Sequence, residues 1–199
     1  MGVACSGHYC ADMTDSRLDP RLLDATISVL AETGWEGVTL ERVAERAGRS
    51  RSTIWRQGVT REVLLAALLD ELSDDFRLAL WPVLNSNQSG RIRLEESLAL
   101  LCQVIERHLP LVLASDEVFH QGDPGRRQID YLDPYRRFTS DGQVDGSLAA
   151  DEPADEVAEV AFNCVAWTYT HLRGRHGWSA ERAQSKVLRL VMHGLLPTA

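Results

Sequence analysis

VTLERVAERAGRSRSTIWRQG, residues 38–58, decides how this chain is read. Thr39 is placed to cap a short helix with Leu40, Val43 and Ala44 on its apolar face, and Glu41 falls in the first turn, where the helix dipole favours a carboxylate. Gly48 ends that helix. Ser50 caps a second one running through Trp55, and Gly58 breaks it. The spacing Ala44-x3-Gly48-x5-Ile54 fits a helix-turn-helix: a small residue where two helices cross, a turn residue tolerant of positive φ, and a branched apolar anchor pointing back. Arg49, Ser50, Arg51, Ser52 and Thr53 crowd the start of the second helix, the end that meets base edges in such motifs. Arg matches the paired acceptors of guanine, and Ser or Thr reaches phosphate or base.

The charge distribution supports that reading. The whole chain of 199 residues carries −8, yet residues 16–61 hold eight Arg against six acids, and 49–61 hold four Arg and no acid. This is a local basic patch on an acidic protein, which excludes nucleic acid coating the whole surface and points to one DNA-reading face. Arg49, Arg51 and Arg56 have no acid close in sequence, which favours DNA contact for them. Arg42 and Arg46 read equally as a solvated helix face, and Trp35 as core.

Working outward, the rest of the chain reads as helices. Pro20 suits a first turn, Leu23, Ile27 and Leu30 recur at helical spacing, and Gly34 stops that helix. Thr60 and Glu62 open a long helix to about Trp81; a polar loop follows from Asn85 to Gly90. Leu94, Leu98, Leu101 and Ile105 mark the next helix, and Pro110 interrupts. One helix is expected near 124–138, with a loop over 139–153, then helices over 154–173 and 179–196. With no strand alternation, the fold class is all-α. The expected organisation is a tail without fixed structure over 1–17, a helix-turn-helix DNA-binding domain over 18–62 and a ligand-binding and dimerisation domain over 63–199.

The stretch Arg21 to Leu69 resembles the DNA-binding module of the TetR family of transcriptional regulators. The matching pieces are Ala-Glu-Thr-Gly-Trp (31–35), Val-Thr-Leu-Glu-Arg-Val-Ala (38–44), Ala-Gly-x-Ser (47–50), Thr-Ile-Trp (53–55) and Arg-Glu-x-Leu (61–64). Against the family pattern, Arg49 replaces an apolar residue, Trp55 a Tyr, Gln57-Gly58 a His-Phe pair and Arg61 a Lys. Trp55 keeps a ring with a donor and Arg61 keeps the charge. The resemblance implies a transcriptional regulator, expected to be a repressor, that binds double-stranded DNA at a palindromic operator as a homodimer and is released by a small-molecule effector. The residues expected at the DNA are Thr39, Arg49, Ser50, Arg51, Ser52, Thr53, Trp55, Arg56, Gln57 and Arg61.

The second half carries more apolar and aromatic helix surface than a DNA reader needs. Phe76, Leu101, Ile105, His108, Tyr131, Tyr135, Phe138, Phe162 and Trp167 come from separate helices and form the expected lining of an effector pocket, although core packing explains each one singly. Val157, Ala161, Cys164, Val165 and Thr168 on one helix, with Val187, Leu190, Val191 and Gly194 on the next, form the expected dimer stripe; the alternative buries both stripes in their own subunit.

Enzymatic readings find little purchase. Lys186 is the single Lys, so no phosphate loop with its lysine can be written, and no zinc-protease motif, nucleophile elbow or dinucleotide fingerprint occurs. Cys5, His8 and Cys10 lack the ligand number of a structural zinc site, and His171 and His176, five apart on a helix, face different ways. No cofactor and no metal are expected. A rival reading is a small-molecule-binding or metal-dependent enzyme on an all-α scaffold with an incidental basic patch. No apolar run approaches the ~20 residues of a membrane span and the start lacks a secretory signal, so a cytoplasmic protein without membrane contact is expected.

Overall fold

A computed structural model describes residues 18–114 and 131–194; the expected 1–17 tail, the first part of the expected 124–138 helix and residues 195–196 lie outside them. Among the described residues all regular structure is helical: α1 (Pro20–Thr33), a single 3₁₀ turn (Trp35–Gly37), α2 (Leu40–Arg46), α3 (Arg51–Arg56), α4 (Arg61–Leu84), α5 (Gly90–Arg107), α6 (Leu109–Leu113), α7 (Asp133–Val144), α8 (Ala154–Gly174) and α9 (Ala180–Gly194). None of these is long and apolar enough to cross a membrane.

Each helix start has a local cause. The side chains of Asp19, Thr39, Ser50, Thr60 and Ser89 accept from backbone amides of the first turns of α1 to α5. The long α4 runs three residues past its expected end, through Pro82, at the loss of the one amide bond that a proline cannot donate. Its Leu64, Leu68, Leu72, Phe76 and Leu80 form one buried stripe, which meets the buried Leu94, Leu98, Leu101 and Ile105 of α5.

The reading of 121–153 is corrected. The helix begins at Asp133, with Pro134 in its first turn, and continues to Val144, so 139–144 is helix rather than loop. Gly142, inside the stretch expected to be a loop, is a point of close approach. A Cβ on Gly90 would lie 2.0 Å from the Gly142 nitrogen, and one on Gly142 would lie 2.6 Å from the Leu148 side chain. The start of α5 is then held by the segment after α7. Asp145 accepts from the Gly90 amide (2.8 Å), Ser147 Oγ from the Arg91 amide (3.1 Å), and Arg93 donates to Asp141 (2.7 Å).

Helices α4, α5, α7, α8 and α9 pack into a bundle around Tyr135, Phe138, Val165 and Tyr169, all essentially buried. Helix α1 meets α2, α4 and also the short α6, so two elements of the bundle touch the N-terminal module.

Candidate nucleic-acid interface

Helices α2 and α3 are built as the spacing predicts. Val43, Ala44 and Ile54 are buried at their crossing. Gly48, at φ +64°, donates to the Glu45 carbonyl and Arg49 to the Ala44 carbonyl, the paired bonds of a Schellman cap. The second helix ends identically: Gly58, at φ +72°, donates to Trp55 and Val59 to Ile54, with Val59 and Ile54 both buried. That cap explains Gln57-Gly58. Val59 is the apolar residue that closes the junction with α4.

The outer face of α3 carries Arg51, Ser52, Trp55 and Arg56, all exposed, with Gln57 beyond its end. Trp55 is 71% exposed, an arrangement without value to the core and suited to a contact with a partner molecule. Ser50 Oγ accepts from the Thr53 amide (3.1 Å) and bonds the hydroxyls of Ser52 (3.0 Å) and Thr53 (2.7 Å), so three hydroxyls form one cluster at the start of the helix. Thr39 accepts from the Arg42 amide at 3.3 Å as the cap of α2.

Two of the three arginines without an acid close in sequence, Arg49 and Arg51, meet one in the fold, and for them the expectation is corrected. Arg49 bonds Asp19 at 2.5 Å and Arg51 pairs with Glu41, in both cases with an acid remote in sequence that the fold brings close. Arg46 makes two bonds to Glu32, at 2.9 and 2.7 Å, and Arg42 donates to the Gly37 carbonyl at 3.1 Å. Arg56 donates through Nε to the Ser52 carbonyl (3.3 Å). Arg61 turns away from α3: its guanidinium lies 4.0 Å over the Trp35 ring and donates to the Trp35 carbonyl. Both acids respond. The Arg21 amide, followed by Arg49, holds the Asp19 carboxyl below its usual range, and the Arg46 guanidinium does the same for Glu32.

The nine residues expected around an effector divide. Phe76 stands edge-on to Tyr131 at 5.0 Å between centroids, and Tyr135 edge-on to Phe162 at 5.1 Å, with Leu101 and Ile105 buried in the same bundle core. The Tyr131 hydroxyl bonds Ser73 (2.7 Å), and the Tyr135 hydroxyl donates to the Ser97 carbonyl (3.2 Å). Phe138 lies apart under the Arg93 guanidinium, 5.1 Å from its ring centre. Trp167 is 47% exposed and faces away from the core. His108 Nε2 bonds Asp75 (2.9 Å) at the edge of a groove of about 870 Å³ that also takes in Leu23, Ala67 and Leu78.

The residues of the expected dimer stripe divide. Ala161, Val165 and Val187 are buried in their own subunit. The outward face carries Val160, Cys164 and Trp167 on α8 and Leu190 on α9, beside an apolar groove of about 380 Å³ that Val157 and Val191 line. The two histidines are corrected as well. Since α8 stops at Gly174, the chain turns back and the rings of His171 and His176 meet at 4.8 Å, instead of facing apart on one helix.

Residues 22–68 match the family described as bacterial regulatory proteins, tetR family. The fold is similar to solved transcriptional regulators at low identity. A ketosteroid transcriptional regulator of Mycobacterium tuberculosis is 19% identical, with TM-score 0.73 over 90% of this chain and 96% of its own. A TetR-family regulator from Thermus thermophilus is 15% identical, with TM-score 0.75 over 89% and 100%. A TetR/AcrR-family regulator from Thermobifida fusca is 21% identical, with TM-score 0.69 over 91% and 98%. No curated protein matches the chain.

Proposed function

We propose that this chain, whose residues 22–68 match the bacterial regulatory proteins of the tetR family, is a DNA-binding transcriptional regulator of that family and a repressor acting as a dimer on a palindromic operator. The observation that carries the proposal is the outer face of α3, where Arg51, Ser52, Trp55 and Arg56 are exposed on a module closed by two Schellman caps. Thr39, Arg49, Ser50, Thr53 and Gln57 flank that face and serve the phosphates or hold α3 in position; Arg61 supports the module through Trp35. A six-residue helix reads only a few base pairs, so useful specificity needs two half-sites about one DNA turn, ~34 Å, apart or a multiple of it. The second copy docks on the outward apolar face of α8 and α9. Residues 18–62 are the reading head and 63–199 the effector and dimerisation part.

Release by a small molecule is the second part of the proposal. The effector enters the bundle core beside Phe76, Tyr131, Tyr135 and Phe162, where the Ser73 and Tyr131 hydroxyls supply polar handles. Displacing α4 or α5 there pulls on the Asp75–His108 bond and on α6, which rests on α1. The reading head then tilts and the half-site spacing is lost.

Selection from random duplex DNA tests the first part. The expected result is a palindrome, bound as a dimer, from which Arg51→Ala removes about 1–3 kcal/mol. Enrichment of no palindrome overturns it. Thermal-shift screening of metabolites, followed by operator binding with each stabilising compound, tests the second; a compound that stabilises the protein and leaves operator affinity unchanged removes the switch.

A further inference from the structure

The reading head holds three of its cations with its own acids. Arg46, Arg49 and Arg51 each pair with an acid of the module, and Arg61 with Trp35. Of these acids Glu41 is singular in place. It stands in the first turn of α2, two residues after the Thr39 cap, and its carboxylate reaches Nη1 of Arg51, the first residue of the exposed recognition helix. Both side chains are more than half exposed, at 66% and 57%, and an ion pair so solvated adds little to stability. A carboxylate there also repels the phosphates that the same surface must approach. Holding Nη1 leaves the Nε–Nη2 edge of Arg51, two parallel N–H groups of the kind that match guanine O6 and N7.

We propose that Glu41 is a positioning residue for base recognition: it holds Arg51 by Nη1, presents the Nε–Nη2 edge to a guanine in each half-site, and keeps Arg51 off neighbouring phosphates. The proposal rests on the reading of α3 as the base-contacting helix. Specificity gains twice. The guanidinium enters the groove already oriented, and one cation per protomer is withdrawn from the sequence-independent attraction that all duplex DNA exerts.

The test combines selection from random DNA with quantitative binding over a salt series, for the natural protein, Glu41→Ala, Glu41→Gln and Arg51→Ala, all checked for unchanged melting. The natural protein selects a palindrome with a guanine in each half-site, and Arg51→Ala abolishes the preference for that guanine. Glu41→Ala lowers it about tenfold. It also raises binding to unrelated duplex severalfold and steepens the salt dependence by about one counterion per protomer as Arg51 turns to phosphate. Glu41→Gln keeps an acceptor for Nη1 and retains an intermediate preference. Adding Glu41→Ala to Arg51→Ala changes the base preference no further. A guanine preference within twofold of the natural protein's in Glu41→Ala, with an unchanged salt slope, overturns the proposal while the operator reading stands. So does loss at a cytosine instead, which makes Glu41 itself the reader. Failure of the natural protein to select any palindrome overturns both.

Discussion

Arg61, the first residue of α4, lies over Trp35, with 4.0 Å between the guanidinium carbon and the ring centre, and donates to the Trp35 carbonyl as well. One side chain therefore joins the long bundle helix to the turn between α1 and α2. A planar, delocalised cation is needed for both contacts at once, and Lys supplies neither the stacking plane nor the fork of donors. Arg61→Lys is expected to cost about 1 kcal/mol in urea unfolding despite the retained charge, and Trp35→Ala more, since it also exposes apolar surface. An unchanged midpoint for Arg61→Lys would show the stack to be idle.

Gly48 and Gly58 hold the left-handed backbone of the two caps, and a Cβ at either would meet nothing within 4 Å. Substitution therefore costs conformation alone. Gly48→Ala and Gly58→Ala should each destabilise by about 1–2 kcal/mol, and Gly48→Asn by less, because Asn tolerates this region. Equal losses for Ala and Asn would point to a steric cause instead.

Val165 and Val160 make opposite predictions from the same helix. Val165 is fully buried, so Val165→Asp should unfold the subunit; Val160 is 62% exposed, so Val160→Asp should leave the melting of the monomer intact and dissociate the dimer in sedimentation. Alkylation followed by peptide mapping gives a second readout. Cys164 is exposed on the isolated subunit and should be protected in the dimer and freed by Val160→Asp. Cys102, whose thiol burial pushes up to about 12, should react only on unfolding.

Glu106 accepts from Arg173 through both oxygens and from the Tyr169 hydroxyl at 2.8 Å, joining α5 to α8. Arg173 is the main reason that its carboxyl titrates below the usual value of 4.5. A lowered native value means that the stabilisation is complete above about pH 4.5 and is lost as pH falls through the native value. Glu106→Gln should lower stability at pH 7 and flatten its acid dependence below pH 5. A variant that keeps the full acid loss would place that loss on other carboxylates.

What was legible in the sequence was what is decided locally. Thr39, Gly48, Ser50 and Gly58 act on the two or three residues beside them, so the helix-turn-helix could be written before any contact was known. The apolar stripes of α4 and α5 were equally plain. Pairings between distant residues were not: Asp19 lies thirty residues from Arg49, and only the fold brings them together. The stretch around Gly142 reads as a loop because a glycine at a helix crossing and one in a loop look alike until the neighbour is known. Cys164 and Val165 differ by one residue, about 100° of helix, and the sequence alone does not fix which of them faces inward.

The contact of Gly90 with Gly142 has a mechanical consequence. Backbone meets backbone there, and Asp145, Ser147 and Arg93 brace the same point, so α5 can turn about it far more readily than it can slide. The helix runs 18 residues from that fulcrum, about 27 Å, to His108 and the start of α6. A rotation of roughly 5° at the braced end carries the far end, which Glu106 ties to Arg173 and Tyr169, by about 2 Å, the size of helix shift that switching proteins use. The arm is long on the side of the reading head, so any turn about the pivot is largest where α6, which follows α5, rests on α1.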